Sequence, residues 1–200
     1  RISARYPGVQ FNQFAGAEML AKKYALTQER LNAFAFASHV KAKRAVEEGR
    51  FKEEIVPIEI ELEDGTRQMH SQDEGIRLDA TLGAISGLQP LQENGLLTAA
   101  NASQICDGAS AVMIANGATC KRLGLKPLAR IVAMSVIGSD PVIMLEGPIP
   151  ATKKVLEKAG MTLDQIDLFE VNEAFGSVPL AWAKALGADL DKLNVNGGAQ

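Results

Sequence analysis

From Ala129 onward the chain alternates short apolar runs with helical patterns, and this order constrains the fold more than any other feature. Ala129 to Ile137 reads as a strand. Pro150 marks a helix start, Ala151 to Ala159 continues it, and Gly160 stops it. Thr162-x-x-Gln165 has the form of a capping box. Ile166 to Val171 reads as a strand, Ala174 to Leu186 as a helix and Leu193 to Val195 as a strand. A β-α-β-α-β order of this kind predicts an α/β fold with right-handed crossovers and a largely parallel central sheet. Upstream, the small-residue run Ala109 to Ala115 predicts a strand buried on both faces. Asn116 to Gly124 predicts one short helix.

The part before about Ala100 is charged and mostly helical. Met19, Leu20 and Tyr24 repeat at helical spacing within Ala15 to Tyr24. Thr27 is an N-cap for a helix that runs to about Glu48, with Leu31, Phe34, Ala35, Ala42, Ala45 and Val46 as its apolar stripe. Gly49 closes it. Val56, Ile58, Ile60 and Leu62 then alternate with Pro57 and three glutamates. That is period two, with one face buried and one wet, and the proline and acids suit an edge strand. Asp64-Gly65 is a turn signal.

Composition removes several classes of function. The net charge is −3, from 21 basic and 24 acidic residues that are well mixed, so no basic run exists to bind nucleic acid. The two cysteines, Cys106 and Cys120, lack metal or CxxC spacing, and the histidines His39 and His70 lack partners for a metal. A reducing compartment follows, with the cytoplasm expected and mitochondria or peroxisomes as alternatives. No apolar run is long enough to predict a membrane span, and the start, RISARYPG, lacks a signal-peptide core. The chain begins without Met and ends on LNVNGGAQ, a Gly-rich turn after a strand. It is expected to be an internal piece of a longer protein, the alternative being a short natural protein.

Candidate chemistry lies at strand ends, where open α/β sheets place their sites. Asn172-Glu173 follows one strand. The pair can cap the next helix, which is the default, or the Asn172 amide can orient a water or carbonyl as an oxyanion element. Asn196-Gly197-Gly198 is an ordinary turn or a backbone that approaches a ligand closely. Ala99 to Ser103 and Asp107-Gly108-Ala109 are small enough for another backbone or a flat ligand to come near. Arg77 can hold a phosphate through a charge-assisted fork, or pair with Asp73 or Glu74. Cys106 is expected to be buried at the mouth of a strand in a structural role. Cys120 is expected on a short helix, His39 at a helix surface and His70 in a polar turn.

In order and spacing, several strings resemble the thiolase family: Asp73-Glu74-Gly75-Ile76-Arg77, Thr81-Leu82, Leu88-Gln89-Pro90, Thr98 to Ser103, Asp107-Gly108-Ala109, Gly147 to Ala151, Glu170 to Phe175, and Asn194 to Ala199. Gly49 to Pro57 is similar as well. The resemblance covers almost all 200 residues. It implies part of a thiolase fold, in which two layered α/β/α halves carry an inserted helical loop domain over coenzyme A. Residues 1–103 would be that loop domain, 104–125 the closing segment of the N-terminal half, and 126–200 the start of the C-terminal half.

The resemblance also implies roles. Arg77 matches an arginine near the nucleotide end of coenzyme A, and Leu88 an apolar wall. Ala99, Ala102 and Ser103 match the lining of the pantetheine channel, where the serine bonds an amide. Ala174 and Phe175 match residues beside its thiol end, Met144 a methionine near the acyl pocket, and Asn172 the asparagine that holds a catalytic water. The implied activity is thiolytic cleavage or Claisen condensation of 3-ketoacyl-CoA, with acyl-CoA as substrate and partner and no covalently bound cofactor or metal. The full-length enzyme would be a homodimer or homotetramer. The family's nucleophilic cysteine, its Gly-His-Pro histidine and its Cys-x-Gly-Gly-Gly segment have no counterpart here, and Cys106 and Cys120 match neither cysteine. The chain alone is therefore expected to be inactive, or to serve as a non-catalytic coenzyme A-binding or subunit-interaction module. Asn12-Gln13-Phe14 stands where acetoacetyl-CoA thiolases read His-Met-Gly, which favours a degradative member with a bulkier substrate.

Overall fold

The computed structural model describes residues 1–200. A short helix α1 (Ile2–Arg5) precedes α2 (Gln13–Lys23) and α3 (Gln28–Glu47). The Asn12 side chain caps α2 by accepting from the amides of Phe14 (2.8 Å) and Ala15 (3.4 Å). Thr27 caps α3 through the Arg30 amide at 3.2 Å, as its sequence predicts. Gly49, at φ +66°, carries the chain off the end of α3. Leu31, Ala35, Ala42 and Ala45 are buried along α3 as expected, whereas Val46 is exposed.

The strand expected near Val56 is one arm of a hairpin, β1 (Ile58–Glu61) with β2 (Arg67–His70), paired antiparallel from Ile58 opposite His70 to Glu61 opposite Arg67. Asp64-Gly65 makes the turn, with Gly65 at φ +80° and the Asp64 carboxylate accepting from the Thr66 amide and hydroxyl. The expected buried face is absent: Ile58 is 62% exposed, because no other layer of this chain packs on the hairpin. Arg67 pairs with Glu59 and Glu61 on the wet surface, where such bonds add at most about 1 kcal/mol.

Next come α4 (Leu82–Ser86), α5 (Gly117–Leu123), α6 (Pro148–Ala159) and α7 (Ser177–Leu186). Gly124 and Gly160 end α5 and α6 in the left-handed conformation. The Thr162 amide donates to Gln165 Oε1 at 2.9 Å, which fulfils that half of the expected capping box. The core gathers where α2 and α7 pack together with α3 beside them. Leu20, Leu31, Leu97, Phe175, Trp182 and Leu193 are its large members. The Trp182 indole stacks edge-on against Phe169 and donates to Thr152 Oγ1 on α6 at 2.9 Å. Truncating a fully buried side chain such as Leu31 to Ala costs about 2–5 kcal/mol in cores of this kind.

The expected parallel sheet is reduced to one contact. Phe169 bridges Leu193 in parallel, through Phe169 N to Lys192 O and Asn194 N to Phe169 O, both 2.9 Å, with α7 as the crossover. The segments 109–115 and 129–137 belong to no strand ladder. Val112 and Val136 are 85% and 87% exposed, so neither run is buried. A ladder needs a neighbour to take its amides and carbonyls, and no other extended segment of this chain pairs with them. Lysines of α6 bind two of the free carbonyls instead, Lys154 that of Val136 and Lys158 that of Met134. No helix is long and apolar enough to cross a membrane.

Candidate functional site

α7 starts at Ser177 rather than Ala174 because Ala174 and Phe175 are drawn into an antiparallel pairing, and Gly176 turns the chain into the helix. Ala102 bridges Phe175 antiparallel, the Ser103 amide donates to Ala174 O at 3.1 Å, and the Gly176 amide donates to Asn101 O at 2.9 Å. Four sequence-predicted residues, Ala102, Ser103, Ala174 and Phe175, therefore stand side by side. Phe14, on the first turn of α2, packs its ring edge-on against Phe175 at 5.2 Å. Two residues further, Gly16 is so close to the 143–144 backbone that an added Cβ would sit 2.9 Å from Ile143 O. Met144 follows at φ +38°, in a turn that Asp140 stabilises through the Val142 and Ile143 amides. α2 thus brings Met144 towards the same wall. Ala99 and Ser103 are exposed along this wall, and Asn101 between them is buried, bonded to the Thr98 amide and to Asn32.

Arg77 is exposed and forms no ion pair, so the expected alternative of pairing with Asp73 or Glu74 does not occur. Asp73 instead accepts from the Gly75 amide at 2.8 Å. Gln104 Nε2 ties this loop to residue 200 by donating to Gly75 O and, at 3.4 Å, to Gln200 O. The Arg77 amide donates to His39 Nδ1 at 3.3 Å. His39 is buried, not at the surface as expected. It stands three residues before Ala42 and four after Ala35, on the buried stripe of α3. Burial, and then the charge of Arg77, hold its imidazole below the usual histidine pKa. Leu88 lies exposed just after α4.

Asn172 is exposed at the end of the 166–171 segment. Its neighbour Glu173 is 1% exposed and does not cap α7, whose first turn has no side-chain cap. The Glu173 carboxylate accepts from Ser38 Oγ (2.7 Å), Asn194 Nδ2 (2.7 Å) and the Gln200 amide (3.3 Å). Gly198 passes directly over it, and its amide donates to Ser38 Oγ at 2.9 Å. A Cβ on Gly198 would overlap the carboxylate, so the backbone of the Asn196-Gly197-Gly198 turn makes its close approach to protein, not to the ligand that one reading of this turn expected. Cys106 is exposed, against the expectation of burial, because the run that follows it is not a buried strand. Cys120 is half-buried on α5 and His70 half-buried at the end of β2. Ser38, Asn194, Gln104 and Gln200 carry no role in the sequence reading. For Ser38 a signal existed, since it falls between Ala35 and Ala42 on the apolar stripe.

The site therefore offers an apolar wall, exposed hydroxyl and amide groups and one unpaired guanidinium. It can hold a long, partly polar ligand and stabilise an oxygen. Two family models match the chain: the thiolase N-terminal domain over residues 9–118 and the thiolase C-terminal domain over residues 125–200. The chain belongs to the thiolase family. It is 47% identical to the steroid 3-ketoacyl-CoA thiolase of Mycobacterium tuberculosis over 98% of this chain and 46% of that protein. It is 47% identical to the acetyl-CoA acetyltransferase of Pseudomonas aeruginosa over 92% of this chain and 47% of that protein. The crystal structure of human mitochondrial 3-ketoacyl-CoA thiolase is similar at a TM-score of 0.89 and 42% identity, over 92% of this chain and 47% of that one. The same human thiolase in complex with CoA matches at a TM-score of 0.87 and 42% identity, over 92% of this chain and 46% of that one. The chain spans about half the length of the curated relatives it matches. The expected family and the α/β class of its fold are both borne out.

Proposed function

We propose that this chain is the coenzyme A-holding portion of a thiolase-type acyltransferase that cleaves or forms 3-ketoacyl-CoA. The observation that carries the proposal is the pairing of Asn101–Ser103 with Ala174–Gly176, which sets Ala102, Ser103, Ala174 and Phe175 beside one another, two residues from Asn172 in the chain. In this reading residues 1–103 cover the ligand, 104–125 close the first half, and 126–200 open the second. The exposed Arg77 guanidinium takes a phosphate at the nucleotide end, with Leu88 as an apolar contact. Ala99, Ala102 and Ser103 flank the pantetheine arm, and the Ser103 hydroxyl bonds one of its amides. Ala174, Phe175 and Met144 border the thiol and acyl end. Phe14 adds an aromatic wall there, which suits an acyl group larger than acetoacetyl.

The chemistry in the whole enzyme is acyl transfer to a cysteine thiolate and on to coenzyme A. Asn172 supplies a donor that stabilises the developing oxyanion, directly or through a water, and losing one such donor costs about 10²–10³ in rate. The longer protein acts as a homodimer or homotetramer, in the cytoplasm or an organelle with reducing chemistry. Neither Cys106 nor Cys120 takes part in the site's network, so the 200-residue chain binds without turning over. Purified alone, it should cleave acetoacetyl-CoA with coenzyme A no faster than a protein-free blank. Thiolysis that disappears on Asn172→Ala would contradict this.

A further inference from the structure

Asn172 is exposed, yet the residues on either side of it are buried and hydrogen-bonded. Before it, Val171 is bonded on both its backbone groups by one side chain. Its amide donates to Asn194 Oδ1 and its carbonyl accepts from Asn194 Nδ2, both at 2.9 Å. Asn194 takes the place of a neighbouring strand at that point. It is 1% exposed and sits at φ +46°, a region that asparagine tolerates better than most residues. After it, Glu173 is fixed by its own carboxylate. Asn194 Nδ2 also donates to Glu173 Oε1 at 2.7 Å, so a single amide group reaches both sides of Asn172.

The donors on Glu173 are neutral, and none of the ion pairs in the structure includes it. Lys41, the lysine of α3 nearest in sequence to Ser38, donates to Leu193 O instead. A buried carboxylate left without a cation is costly unless each oxygen is hydrogen-bonded. Here Oε1 has one donor and Oε2 has two, and every donor comes from α3 or from residues 194–200. Gly198 leaves room for that packing, since any side chain there would occupy the carboxylate's position. A residue that merely capped α7 would bond the amides of its own first turn, and Glu173 bonds none of them.

We propose that Glu173 and Asn194 are positioning residues, which bracket Asn172 and fix the direction in which its amide is presented to the acyl carbonyl. This rests on the reading of Asn172 as the oxyanion donor. The carboxylate form is required, because an amide in its place turns an N–H₂ group towards at least one donor.

The test compares two ligands on the intact chain, free coenzyme A and acetoacetyl-CoA, by calorimetric titration of wild type, Asn172→Ala, Glu173→Gln and Asn194→Ala. Only acetoacetyl-CoA carries the carbonyl that Asn172 meets. Glu173→Gln should reproduce Asn172→Ala, weakening acetoacetyl-CoA by about fivefold, the worth of one hydrogen bond, while free coenzyme A is unchanged. A merely structural role would weaken both ligands equally. If Asn172→Ala is selective and Glu173→Gln is not, the positioning role is overturned. If Asn172→Ala itself is not selective, the reading of Asn172 fails, and backbone amide exchange still decides the bracket. Exchange at Val171 and Asn172 should rise at least tenfold in Asn194→Ala with α2 and α3 unaffected, and a uniform rise or none overturns it. Should Glu173→Gln not fold, Ser38→Ala removes one donor only and should give the same selectivity more weakly. Its absence there counts against the proposal.

Discussion

His39 and Glu173 occupy positions that a sequence presents as ordinary polar residues, one among lysines on a helix and one at a helix start. Both are buried, and each is buried for a reason found in a distant segment. His39 accepts a hydrogen bond from the Arg77 amide, 38 residues away, and Glu173 binds Ser38, 135 residues away. Such partners are invisible to periodicity, although the stripe position of His39 and Ser38 on α3 was readable. The residues that pair at 101–103 and 174–176 stood out in the sequence, because small residues at Ala99–Ser103 and an aromatic after Asn172-Glu173-Ala174 are features a local motif carries. The His39 environment has a pH consequence. Burial, and then Arg77, favour the neutral imidazole, so the folded pKa lies below the unfolded value of ~6.5. The stability this gives is fully present above that unfolded value and is lost as pH falls through the lower folded one. Thermal midpoints measured between pH 7.5 and 5 should fall for wild type, and His39→Gln should flatten that part of the profile. An unchanged slope in the variant would show that His39 is not the titrating group.

At the scale of elements, helices were the legible part. Caps at Thr27 and Thr162, stops at Gly49 and Gly160 and the short helix up to Gly124 are local signals, and the structure honours each, with Asn116 capping α5 through the Thr119 amide. Strands were legible only as extended apolar runs. Whether such a run becomes a ladder depends on a partner: the run at Ile58–Glu61 finds one in β2, and in the last part of the chain the pairing shrinks to the Phe169–Leu193 bridge. The runs 109–115 and 129–137 stay open, with valine, isoleucine and methionine facing outward. Open, apolar, extended edges are templates for association. Burying one such side chain is worth about 1.5–3 kcal/mol, enough to drive self-association when several act together. Sedimentation velocity should show mass rising with concentration, and a Val112→Lys, Val136→Lys double variant should sediment as a monomer. A wild-type chain that remains monomeric across that range would mean these edges are not sticky.

The molecule as a whole is held by a core that α2, α3 and α7 share, and by a few long-range ties that join its first hundred residues to its last sixty. Lys23 and Tyr24 bind Glu146, Lys41 binds Leu193 O, and Arg50 binds Asn196. The pairing of 101–103 with 174–176 adds to these ties, and Arg77 stays exposed without an ion pair. The central claim is that this wall and this arginine together hold coenzyme A. Calorimetric titration of the purified chain with coenzyme A, wild type beside Arg77→Ala, tests it most directly. Saturable one-site binding that weakens about tenfold in the variant, the equivalent of ~1.4 kcal/mol for a lost charge-assisted bond, is the predicted result. No binding by the wild type at millimolar coenzyme A, or equal affinity in the two proteins, would contradict it.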